Sequence, residues 1–169
     1  MKRIAYLLIV LFAVSFVAMA AQKKEGRARR AESATEQHVV IAPADLKWMD
    51  GPPGLPAGAK MAVLSGDPGK TGLFTVRLQA PAGYKIMPHT HPTAEFVTVI
   101  SGSFNVGMGE KVDEAAAKEL PAGGYVVMPA GMAHYAWSTS ESVIQISSMG
   151  PFQIKYVNPA DDPRNEKKQ

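Results

Sequence analysis

From residue 38 to residue 159 the chain runs in short apolar stretches, rich in β-branched and aromatic residues, that glycine and proline interrupt. That punctuation predicts strands at 38–42, 60–65, 72–79, 84–90, 94–100, 103–108, 124–129, 133–138, 142–149 and 152–157. In GLFTVRLQ, Phe74, Val76 and Leu78 share one face and Arg77 lies on the other, the two-residue period of a half-buried strand. Ten short strands at this spacing predict an all-β domain, a small antiparallel barrel or sandwich. Asp113 to Leu120 (DEAAAKEL) is the one helix-favouring stretch, expected as a turn or two between strands. The segment from Pro43 to Ala59 holds four prolines and three glycines, too many for a central strand.

The ends read differently. Lys2 and Arg3 precede an apolar run from Ile4 to Val17 broken only by Ser15, and Ala18-Met19-Ala20 supplies the small residues of a cleavage site. Residues 1–20 are therefore expected to be a removed export signal, and the mature protein periplasmic or secreted. The competing reading is an uncleaved anchor, since the 18 residues from Ile4 to Ala21 just suffice to span a hydrocarbon core. Residues 21–37 are charged and poor in large apolar side chains, which predicts a flexible linker. Residues 160–169 (ADDPRNEKKQ) read as a solvated tail.

Charge and composition then narrow the function. Residues 38–159 carry 8 Lys and Arg against 9 Asp and Glu, so the domain presents no basic footprint for nucleic acid although the whole chain's formal charge is +3. There is no cysteine, which excludes disulfides, thiolate metal sites and cysteine nucleophiles. Any metal must be held by His, carboxylate, carbonyl or water.

Three of the four histidines sit in patterned segments: His89 and His91 in GYKIMPHTHPTAEFVTVISG, and His134 in GGYVVMPAGMAHYAWS. On a two-residue period His89 and His91 share a face, and Glu95 has their parity. Pro129-Ala130-Gly131 reads as a turn, after which His134 opens a strand and joins the set if that strand lies beside the first.

These segments resemble the two cupin motifs. Gly83, His89, His91, Glu95 and Gly102 match the first, and Gly123, Pro129, Gly131 and His134 match the second. Where the family usually places Asn, four residues after the last histidine, this chain has Ser138. The resemblance implies a single-domain cupin barrel over 38–159, a divalent metal on His89, His91, Glu95 and His134, and a homodimer. Such a nitrogen and oxygen donor set suits Fe, Mn, Ni, Cu or Zn without choosing among them, and in octahedral geometry leaves two positions for water, substrate or dioxygen.

Lys85 and Met87 share the parity of His89 and are candidates for substrate contact, Lys85 toward an anion and Met87 as an apolar wall. Arg77 is a third candidate, its solvent-facing parity notwithstanding. Met128, Met132, Tyr135 and Trp137 lie beside the His134 turn and, if they line the cavity, favour a flat, partly apolar ligand. The leading expectation is a metal-dependent oxidoreductase of dioxygenase type on a small organic molecule, with Glu95 doubling as a base. An isomerase or decarboxylase, or a non-catalytic metal or small-ligand binder, uses the same fold and donors.

Overall fold

The alternation of apolar and polar positions is realised as two antiparallel sheets. A computed structural model describes residues 38–165, and every strand below belongs to the unit that begins at Ile41. The larger sheet runs β1 (Met49–Asp50), β2 (Lys60–Ser65), β3 (Gly72–Ala80), β10 (Ser142–Gly150), β5 (Glu95–Ser101) and β8 (Tyr125–Met128), in spatial order. The smaller runs β11 (Lys155–Tyr156), β4 (Lys85–Thr90), β9 (His134–Trp137), β6 (Ser103–Met108) and β7 (Lys118–Pro121). No strand pairing joins the sheets among the described residues, so the expected barrel is a jelly-roll-like pair of sheets.

The core follows from register. On β3 and β10, Leu78 lies opposite Ile144 and Val76 opposite Ile146, and β10 sets the same two isoleucines against Val99 and Val97 of β5. These side chains are buried in one cluster with Phe74, Ile86, Phe104 and Ala136. Each such aliphatic contributes about 1.5–3 kcal/mol by leaving water. Ser142 and Ser148 interrupt the inward face of β10, and both hydroxyls donate to backbone carbonyls, of Ser103 and Ala94. That is how a buried hydroxyl avoids its desolvation cost.

Three sequence expectations change. Residues 38–42 form no strand and are exposed. The alanine-rich stretch 113–120 keeps the expected turn only at 114–116 and enters β7 at Lys118, because its last residues gain a ladder against Phe104, Asn105 and Val106 that a short exposed helix would not offer. The stretch read as a solvated tail carries regular structure: two 3-10 turns, Pro159–Asp161 and Pro163–Asn165, start on proline, and Asn158 caps the first. Residues 1–37 and 166–169, with the expected leader and linker, lie outside the described residues.

Gly107 shows how closely β6 and β9 pack. A Cβ there would run into the ring of Tyr135, which is 1% exposed and whose hydroxyl donates to the Asp113 carbonyl. Gly107→Ala should therefore destabilise the fold by about 1–3 kcal/mol of overpacking strain, read as a lower urea midpoint of unfolding. An unchanged midpoint would show that the ring yields freely.

Candidate metal centre

His89 stands on β4, and its inward aim depends on an irregularity. The β4–β9 pairing slips between Ile86 and His89, so both residues face inward although they are three apart. His91 follows the end of β4, and the turn after it crosses to the other sheet, where Glu95 opens β5. His134 opens β9 directly opposite His89. The four residues predicted as ligands thus come from both sheets, and all are buried.

The two turns are tied down by hydrogen bonds. The Thr93 hydroxyl donates to the Met149 carbonyl at 2.9 Å and lies 3.0 Å from the Ser148 hydroxyl, which itself donates to the Ala94 carbonyl at 2.7 Å. On the other side Met132 N–H closes a turn on Pro129, and Gly131 N–H donates to the His91 carbonyl at 2.8 Å. Gly131 adopts φ 74°, a conformation that favours glycine, so the second motif needs it for the turn that delivers His134. Ser138, at the family's Asn position, is fully buried and donates from Oγ to the Pro81 carbonyl at 2.7 Å. The departure from the motif leaves a local bond intact.

Each imidazole is locked by a main-chain carbonyl. Nδ1–H of His89 donates to Met87 at 2.7 Å, that of His91 to Gln153 at 2.7 Å and that of His134 to Met132 at 3.0 Å. A carbonyl only accepts, so Nδ1 carries the proton and Nε2 presents a lone pair. The rings are further held by packing: Phe152 stacks on His91 at 4.3 Å between centroids, and Tyr156 lies 5.8 Å from His89. Ligand atoms of the three histidines lie within 4.8 Å of one another. Glu95 Oε2 sits 3.4 Å from His134 Nε2 and 3.7 Å from His91 Nε2.

Burial sets the protonation. It pushes the His89 imidazole down to about 3, helped by neighbouring His134 and His91, against the bond to Met87. The same desolvation lowers His91, and outweighs Glu95 and the Gln153 bond, which favour its charged form. Neutral rings with inward lone pairs are what a metal requires of histidine. The fit is tested by His134 Nε2, a fully buried nitrogen with no hydrogen-bond partner. A buried acceptor left unpaired costs about 1–3 kcal/mol, and a cation among three such lone pairs and a carboxylate removes that cost. The residues fit a divalent metal.

These groups form one polar patch in a cavity of about 600 Å³ whose remaining wall is largely apolar, including Val76, Leu78, Val97, Phe104 and Ile144. The predicted substrate contacts lie elsewhere. The irregularity in β4 turns Lys85 and Met87 off the parity assumed for them: Lys85 is exposed and pairs with Glu114 at 3.2 Å, and Met87 packs against the core without lining the cavity. Arg77 faces away and reaches Gln145 at 3.4 Å. Of the four residues beside the His134 turn, Met128 lines the cavity, Met132 is exposed, and Tyr135 stacks on Trp137 outside it. Sequence reasoning missed Thr93, Ser148, Phe152, Gln153 and Tyr156, which set the ligands' orientation. Only Ser148 left a signal, as a hydroxyl on an apolar face.

Fold and site together define a cupin. The chain belongs to the ChrR cupin-like domain family, whose model matches residues 36–153. Among curated proteins, the germin-like protein 9-3 of Oryza sativa subsp. japonica is 29% identical over 94 residues, 54% of this chain and 44% of that protein. This chain thus spans less than half the length of that relative. Among solved structures, an acetylacetone dioxygenase from Acinetobacter johnsonii superposes with a TM-score of 0.58 at 20% identity, covering 76% of this chain and 82% of that one. The polyketide cyclase RemF from Streptomyces resistomycificus gives 0.62 at 16% identity, covering 76% and 91%. At such identities the likeness is one of fold.

Acid should weaken the metal-depleted protein through His89. An unfolded imidazole takes its proton near pH 6.5 and the folded one only near pH 3, so acidification protonates the unfolded chain first. The contribution is complete above pH 6.5 and is lost progressively from there down to about 3. Urea midpoints of the metal-depleted protein at pH 7.5, 5.5 and 4.5 should fall in that order, and His89→Gln should flatten the trend.

Proposed function

We propose that this protein is an exported, metal-dependent cupin enzyme, an oxidoreductase of dioxygenase type acting on a small organic molecule. The observation that carries the reading is the convergence of three carbonyl-locked imidazoles and Glu95 on the wall of a largely apolar cavity. His89, His91, His134 and Glu95 would hold the metal, which would supply a Lewis acid with open coordination positions. The fold of the Acinetobacter johnsonii dioxygenase supports the reaction class by analogy.

The chain's own groups do the rest. The cavity wall excludes water from the donors, which strengthens every electrostatic interaction within it. Among the described residues Glu95 is the one carboxylate on that wall, so it is the group able to accept a proton from a bound substrate and hold it on Oε1 or Oε2. Phe152 and Tyr156 keep the His91 and His89 rings in place while that happens. Export rests on the basic start, the apolar run and Ala18-Met19-Ala20, and a homodimer on the unpaired outer edges of both sheets.

The central test is metal content and oxygen uptake on the whole mature protein. Wild type should carry one divalent ion per chain and consume oxygen with a small enolisable substrate such as acetylacetone. His89→Ala and His134→Ala should each lose the ion. Glu95→Gln keeps a neutral oxygen and should retain weakly bound metal without turnover. Ligand binding adds RT ln(1 + [L]/Kd), about 4 kcal/mol at a thousandfold excess over Kd, so chelation should lower the unfolding midpoint of wild type and not of His134→Ala. Wild-type metal content in both histidine variants would end this reading. Metal without oxygen uptake would leave the non-catalytic binder.

Export and assembly are checked on the same preparation. The secreted or periplasmic protein should begin at Ala21 by mass spectrometry and scatter light as a dimer. A chain starting at Met1 would overturn cleavage, and a monomer at all concentrations would overturn the dimer.

A further inference from the structure

The proline-rich segment between β1 and β2 does more than connect them. Its ends are drawn together by the Gly51 N–H, which donates to the Ala59 carbonyl at 2.9 Å. Between them the chain forms a strap whose carbonyls are held by two phenols. Tyr84 donates to Pro56 and Tyr156 to Gly54, each at 2.9 Å. Pro52, Pro53 and Leu55 of this strap, with Arg164, line the inner cavity and also a second hollow of about 700 Å³. Residues common to two hollows are the wall between them. The strap is thus the partition through which the inner cavity meets the outer one, and Leu55 packs from it onto the core.

The charge inventory of the inner cavity is short. Apart from the histidines and Glu95, its only ionisable side chain among the described residues is Arg164, which is exposed at the rim and already committed: Nε and Nη2 each donate at 2.7 Å to the Asp162 carboxylate, and Nη2 also reaches the Ile154 carbonyl. Gln153, likewise exposed, is the one uncharged polar side chain on the wall. Lys85 and Arg77 are outside, paired with Glu114 and Gln145. A second charge on a ligand, or a set of hydroxyls, would be desolvated on entry without partners, at a cost of several kcal/mol.

We infer that the cavity takes a molecule with a single polar end, set at the histidine and Glu95 patch, and an otherwise uncharged apolar body, and that Leu55 of the strap is a specificity-determining residue at its entrance. The placement of the polar end rests on the metal-centre reading, while the apolar body rests on the cavity wall alone. Dicarboxylates and sugars are the classes this excludes. A body of drug-like size is accommodated, since cavities of about 300–1,000 Å³ take such ligands.

The test is a displacement titration on the full mature protein, loaded with metal and metal-free, using the uncharged fluorophore N-phenyl-1-naphthylamine as probe. The probe should bind in both forms. On the metal-loaded protein 1-phenylbutane-1,3-dione should displace it at a concentration at least tenfold below oxalate or glucose. Leu55→Asp, on the partly exposed strap, should weaken probe binding at least tenfold with metal content unchanged, and Leu55→Met should restore it. Oxalate or glucose competing as well as the diketone would overturn the inference while leaving the metal centre standing, and so would wild-type probe affinity in Leu55→Asp. A protein that takes up no metal yet binds the probe and keeps the Leu55 effect would sink the metal reading and support the apolar cavity. The competition series needs no variant, so it decides even if Leu55→Asp does not fold.

Discussion

Everything at this site depends on fixing three imidazoles so that their Nε2 lone pairs meet. A histidine ring has two nitrogens and a rotatable bond, and burial alone would leave both undecided. Here a main-chain carbonyl decides each: Met87 lies two residues before His89, Met132 two before His134, and Gln153 comes from far along the chain to hold His91. The first two bonds are local, so any strand carrying those residues in that conformation would orient its own ligand. The third is not. It requires the segment after β10 to return beside β4, and the two-residue strand β11, pairing Tyr156 with His89, is what brings it there.

That return path explains several features that are otherwise unconnected. Phe152 reaches His91 and also meets Phe74 of the larger sheet edge-on at 5.2 Å, so one ring braces a ligand and the core. Tyr156 touches His89 with its ring and the strap with its hydroxyl, whose ionisation burial pushes up to about 12. The phenol therefore stays a donor at neutral pH. One short segment thus bears on the histidine rings and on the strap.

Legibility in the sequence divides along the same line between local and distant. The histidines and Glu95 were found because their spacing is a motif, and the apolar face of β3 because alternation is unbroken there. The parity argument that placed Lys85 and Met87 beside His89 failed at one point, the slip between Ile86 and His89, which inverts the residues before it. Nothing in KIMPH announces such a slip except Pro88, which has no N–H to give a ladder. The Asp113–Leu120 stretch misled because alanine propensity is a weak preference and pairing with β6 is a strong one. Thr93, Phe152 and Gln153 carried no signal, since hydroxyl, ring and carbonyl become meaningful only when the turn after His91 and the return of the chain bring them to a ligand.

The distribution of ligands between sheets ties the proposed chemistry to the fold. His89 and His134 stand opposite each other in the smaller sheet, and Glu95 opens β5 in the larger, where the Thr93 and Ser148 hydroxyls hold the preceding turn. No backbone ladder joins the two sheets among the described residues. Side-chain packing and the few polar bonds around the turns carry the contact instead. A cation shared by His89, His134 and Glu95 would be a cross-link between layers that no strand ladder joins, acting where an unpartnered His134 nitrogen and a nearby carboxylate otherwise face one another. Glu95 would then have two tasks, as a donor to such an ion and as the proton acceptor proposed above. The carboxylate is suited to the double role because its own strand is anchored independently, by the ladder of β5 with β10 and β8, and does not need the ion to stay in place.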